Sequence, residues 1–113
     1  MRARIAAVAA LLVCGVLASQ ALAASRTVRV GDDWFVRDSS GTPSVTVERN
    51  TTVVWRWVGD NTHNVRVTSG PVKFASSYKT SGTYRKKVTR TGTYRIVCSI
   101  HAGDMKMTLR VTR

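Results

Sequence analysis

A chain of 113 residues has room for one small domain, and two cysteines cannot build the disulfide framework that often staples one. Its 18 lysines and arginines against 6 acids give +12 at pH 7, which raises nucleic acid as a partner. No Lys/Arg-rich helix or known nucleic-acid motif accompanies that charge, so a nucleic-acid role is set aside.

The N-terminus reads as a secretory signal over residues 1–23. Met1-Arg-Ala-Arg4 is basic, the run from Ile5 to Leu17 is almost wholly apolar, and Ala21-Leu-Ala23 is a small-x-small cleavage site. The apolar run is too short for a spanning helix. Cleavage after Ala23 or Ala24 leaves residues 24–113 as one domain, exported to the periplasm, the exterior or the cell surface. Cys14 follows Val13 and so lacks the small residue that a lipid-attachment cysteine needs before it. The competing reading is an uncleaved anchor. Arg2 and Arg4 leave with the signal, so 16 of the 18 basic residues remain against 6 acids, a net +10. That charge suits acidic partners or an anionic cell surface; equally, it can simply solvate the outer faces of strands.

The exported part reads as short strands separated by turns. Thr27-Val-Arg-Val30 alternates, Gly31-Asp32 punctuates, and Trp34-Phe-Val36 is a second apolar piece. Ser39-Ser-Gly-Thr-Pro43 is a loop by composition. Ser44-Val-Thr-Val-Glu48 then puts Val45 and Val47 inward. Arg49-Asn-Thr51 is a turn in which Asn50 tolerates a left-handed backbone, and Asn50-Thr-Thr52 is also a glycosylation sequon. From Thr52 to Val58, Val53, Trp55 and Trp57 share one face. His63-Asn-Val-Arg-Val67 reads as a strand with His63, Val65 and Val67 on the core side. Residues 69–82 carry no strong period, though Phe74 is expected to tuck inward. Beyond them Tyr84, Lys86 and Val88 share a side, as do Tyr94, Ile96 and Cys98. Lys106 to Thr112 closes the domain with Met107, Leu109 and Val111 inward. No helical period occurs, so the pattern predicts an antiparallel sandwich or barrel.

Chemistry concentrates in Cys98-Ser-Ile-His-Ala-Gly-Asp-Met105. A thiolate, an imidazole and a thioether lie on one turn, and the other histidine, His63, begins a strand far upstream. Each taken alone is commonly a packing residue. Together they are all the histidines and the only cysteine left after export, at strand ends that a sandwich can bring to one pole. Two imidazoles and a thiolate with a weak axial thioether suit copper, and the Cys-x-x-Cys pairing common in structural zinc sites is missing.

The chain resembles the plastocyanin-like branch of the cupredoxins, the small blue copper proteins. The resemblance rests on Val45-Thr-Val-Glu-Arg-Asn-Thr-Thr-Val-Val-Trp55, Asn61-Thr-His-Asn-Val65, Gly92-Thr-Tyr-Arg-Ile-Val-Cys-Ser-Ile-His101 and Met105-Lys-Met-Thr-Leu109. It implies an eight-stranded antiparallel Greek-key β-sandwich holding one copper ion at a pole. His63, Cys98 and His101 become the equatorial ligands and Met105 the axial one, with Met107, two residues further on, as the competitor. It also gives Asn64 a supporting role between the two ligand segments. Ile100 stands where many relatives have proline. The implied role is transfer of single electrons between redox protein partners by a monomer, without substrate turnover: copper enzymes of the superfamily need further histidines. An exported copper carrier or sequestering protein is the alternative.

Overall fold

Alternation of apolar and polar residues decides which side of each strand turns inward, and here it builds two facing sheets. The computed structural model describes residues 24–113; the expected export signal, with Cys14, lies outside the described residues. The strands are β1 (Ser25–Gly31), β2 (Trp34–Phe35), β3 (Ser44–Glu48), β4 (Thr51–Trp57), β5 (Arg66–Ser69), β6 (Thr83–Val88), β7 (Gly92–Val97) and β8 (Lys106–Thr112). They form two four-stranded sheets, ordered β2-β1-β4-β6 and β3-β8-β7-β5, and no helix occurs among the described residues. The all-β sandwich expected from the sequence is therefore the fold.

The core lies between the sheets. Val28 and Val30 of β1 and Val53, Trp55 and Trp57 of β4 face Val45 and Val47 of β3, Tyr94 and Ile96 of β7, and Met107, Leu109 and Val111 of β8. Trp55 is fully buried, its ring 5.7 Å from that of Tyr84 and 6.0 Å from that of Phe74. Phe74 does pack inward from the loop over residues 69–82, and the Lys86 ammonium lies 5.5 Å from its ring. The Tyr94 hydroxyl donates to the Arg90 carbonyl at 2.7 Å. That bond fastens the corner where the chain crosses from β6 in one sheet to β7 in the other, as corner tyrosines of sandwich folds do.

Two expectations are corrected. The sheets are mixed, because β1 pairs with β4 and β3 with β8 in parallel, whereas the other four pairings are antiparallel. Only a tight hairpin obliges neighbours to run antiparallel. Here the chain leaves the first sheet after β2, lays β3 on the edge of the second, and returns as β4. The strand read over residues 63–67 starts instead at Arg66, and His63 makes only an isolated bridge to Lys79, with N–H to carbonyl distances of 3.0 and 2.9 Å. Strict alternation fails there because Asn64 is buried along with His63 and Val65. The Asn50 turn is as expected, with φ at 73°.

Candidate metal centre

After Val97, the last residue of β7, the next inward position is Cys98, and the backbone then closes on itself. The His101 N–H donates to the Cys98 carbonyl at 3.0 Å. Asp104 and Met105 N–H groups both donate to the His101 carbonyl at 3.0 and 2.8 Å, and Cys98 N–H donates to the Met105 carbonyl at 3.1 Å. This knot sets His101 beside Cys98 and returns the chain through Met105 into β8. His63 arrives on the segment that leads into β5, the strand paired with β7, and is anchored through its bridge to Lys79.

The three side chains converge. Cys98 Sγ lies 3.8 Å from His63 Nδ1 and 3.6 Å from His101 Nδ1. One donor atom from each residue falls within 4.8 Å of the others, a spacing that fits a shared metal ion. A trigonal set with bonds of about 2.0–2.3 Å, typical of imidazole and thiolate on first-row ions, needs donors about 3.6–3.8 Å apart. The two sulfur–nitrogen separations meet that requirement. His63 and Cys98 are 0% exposed, while the His101 side chain keeps 33% of its surface in contact with solvent. Met105 is also fully buried and is one backbone hydrogen bond from Cys98. Met107, by contrast, sits within β8 opposite Ile96 and belongs to the core.

The ligand segments are tied together by polar contacts. Asn64 Oδ1 accepts the Ser99 N–H at 2.7 Å, and its Nδ2 donates to Ser99 Oγ at 3.0 Å. The segment carrying His63 is thus bonded to the one carrying Cys98, as the family resemblance implied for Asn64. Asp32, in the turn between β1 and β2, is a second tie. Its carboxylate accepts the Asp60 N–H at 3.0 and 3.1 Å and the Asn61 N–H at 2.9 Å, and faces His63 Nε2 at 3.1 Å. The Asp60 N–H, then that of Asn61, then the His63 ring hold its pKa below the ordinary value. Asp33 Oδ1 lies 3.4 Å from His101 Nε2. Sequence reasoning passed over Ser99, Asp32 and Asp33. Gly31-Asp32 read only as turn punctuation, and no local pattern joins residue 32 to residue 63.

The donor chemistry agrees with comparisons to known proteins. The family model described as copper binding proteins, plastocyanin/azurin family, matches residues 40–112. A comparison with curated proteins gave no match. Among solved structures, amicyanin from Paracoccus versutus (Thiobacillus versutus) is 23% identical with a TM-score of 0.64, the match covering 80% of this chain and 84% of that one. A reduced mutant of amicyanin is 22% identical with a TM-score of 0.65, covering 82% and 86%. The Cu(I) form of another amicyanin mutant is 23% identical with a TM-score of 0.64, again covering 82% and 86%. These likenesses establish the sandwich, and the family match spans both histidines, Cys98 and Met105. The chain belongs to the plastocyanin/azurin family of copper binding proteins.

Proposed function

We propose that residues 24–113 form an exported carrier of single electrons, in which His63, Cys98 and His101 would hold one copper ion with Met105 as the fourth, weaker ligand. The observation that carries this reading is the convergence of two Nδ1 atoms and a buried thiol within 4.8 Å on a rigid β framework. Copper in such a donor set cycles between Cu(I) and Cu(II) by one electron. The protein keeps the donors in place in both states: β7 and the knotted 98–105 loop fix Cys98 and His101, and Asn64 locks the His63 segment to them. Burial of His63, Cys98 and Met105 suits an ion that is retained, which favours the shuttle over a carrier that hands copper on.

His101 is the ring with an edge toward solvent and so is the exit for the electron. Beside it Ile100 is 53% exposed, followed by exposed Ala102 and Gly103. Tyr78, next to the Lys79 that bridges His63, and Val58, just past β4, are the other exposed large apolar side chains among the described residues. The small apolar face of Ile100, Ala102 and Gly103 beside His101 is where a redox protein partner docks. Asp32, Asp33, Asp60 and Asp104 lie on the loops around the pole, so the net positive charge acts from the flanks, for example through Arg29 and Arg56, which are paired on β1 and β4. An acidic partner is steered by those flanks, and raising ionic strength slows its encounter. A reduction rate by the natural partner that does not change with salt overturns the steering. Export rests on residues 1–23; no described helix is long and apolar enough to cross a membrane.

Adding Cu(II) to the purified domain is the direct test. An intense blue or green colour, from thiolate-to-copper charge transfer, is the expected result, and a pale solution sinks the reading. Separate exchange of Met105 and Met107 for leucine then identifies the axial ligand. Met105→Leu shifts the spectrum and potential, and Met107→Leu changes stability with the colour preserved.

A further inference from the structure

We infer that Asp32 and Asp33, consecutive in the turn between β1 and β2, are positioning residues that set both histidine rings from a single backbone segment. The inference rests on the copper reading above. Each ring turns Nδ1 toward Cys98 Sγ and Nε2 toward a carboxylate, His63 to Asp32 at 3.1 Å and His101 to Asp33 at 3.4 Å. An ionised carboxylate only accepts hydrogen bonds, so in neutral His63 the Nε2 bonded to Asp32 carries the hydrogen and the Nδ1 lone pair is left for the metal. Asp33 stands at ion-pair distance from His101 Nε2 and favours the same tautomer through its charge.

The backbone explains how two adjacent side chains serve the same pole. Successive residues of an extended strand point to opposite faces. Asp33 breaks that alternation with φ at 72°, a left-handed conformation that Asp tolerates better than most residues. Asp32 is further fixed by N–H groups of Asp60 and Asn61. Gly59 permits that approach, since a Cβ there would run into the Asp32 carboxylate. The two acids therefore differ in kind. Asp32 is clamped against a buried ring, whereas Asp33, 58% exposed, is held mainly by its turn and lies beside Nε2 of His101, a ring that stays one-third exposed. Both place negative charge behind a ligand, which favours the higher charge state of the ion.

The test has two parts, one free of metal. In the copper-free domain, nitrogen–proton correlation spectra at a pH where both rings are neutral are expected to show Nε2–H on His63 and His101. Asp33→Ala should convert His101 to a mixture of tautomers, and Asp32→Ala should do so for His63; wild-type rings carrying Nδ1–H, or spectra unmoved by either change, overturn the inference. Asp32→Asn keeps the turn's shape should Asp32→Ala fail to fold. In the copper-loaded domain, Asp32→Asn and Asp33→Asn should each lower the Cu(II):Cu(I) affinity ratio about tenfold, equivalent to a rise of about 59 mV in potential. Glu48→Gln, which removes an equal charge from the far end of β3, is the control. Variants no different from that control in a blue protein overturn the positioning role alone. A wild-type domain that never turns blue overturns the copper reading and leaves the tautomer result to stand or fall by itself.

Discussion

Cys98→Ser is expected to abolish the blue colour completely and to lower copper affinity by more than the about 100-fold that loss of a supporting contact costs. The band requires a sulfur anion bonded to copper, and a serine hydroxyl is neither soft nor ionised at neutral pH. The fold should survive. Cys98 is 0% exposed, so an isolated buried hydroxyl there would cost about 1–3 kcal/mol. The Nδ1 atoms of His63 and His101 lie 3.8 and 3.6 Å from the position of Sγ, and either can accept the hydroxyl hydrogen after a small shift. An unchanged far-ultraviolet circular dichroism spectrum with no visible absorption after Cu(II) addition is the expected pair of measurements. A variant that remains blue would exclude Cys98 as the ligand.

The same residue shows how far sequence carries. Cys98 follows Tyr94 and Ile96 on one face of β7, so its burial was legible from parity alone. β3 and β8 were likewise bounded correctly, since their valines, Met107 and Leu109 alternate without interruption. Parity encodes which face a residue occupies but not which strand lies beside it. That is why the parallel pairings of β1 with β4 and of β3 with β8 escaped notice. It also fails where a polar side chain is buried because a distant partner satisfies it. Asn64 is such a case: its amide is matched by Ser99, and the strand expected from residue 63 gives way to an irregular segment. The contacts of Asp32 with Asp60, Asn61 and His63 are of the same type, since they exist only once two loops meet. The ligand set was readable because its residue types are scarce in this chain, whereas the supporting carboxylates are made of common turn residues.

Trp55→Ala should bring the copper-free domain to the edge of unfolding. Trp55 is fully buried at the centre of β4 and stacks near Phe74 and Tyr84, so its removal costs about 3–5 kcal/mol. Folded domains have only about 5–15 kcal/mol in all, and one this small, with a single free cysteine among its described residues and so no bridge there, belongs near the lower end. The loss is one of packing, because the Trp55 Nε1 is buried with no hydrogen-bond partner. Trp55→Phe therefore costs less: it keeps an aromatic ring in place and removes an unsatisfied N–H whose burial costs about 1–3 kcal/mol. Copper provides the discriminating arm of the experiment, since an ion that binds only the folded chain adds about 2.7 kcal/mol at 100 times its dissociation constant. Denaturant titrations should place copper-free Trp55→Ala at a far lower midpoint than the wild type, with copper recovering much of the difference and Trp55→Phe lying between. If copper leaves the Trp55→Ala midpoint where it was, the ion does not reach a site that folding assembles, and His63 and Cys98, brought together only when β5 pairs with β7, are not holding it.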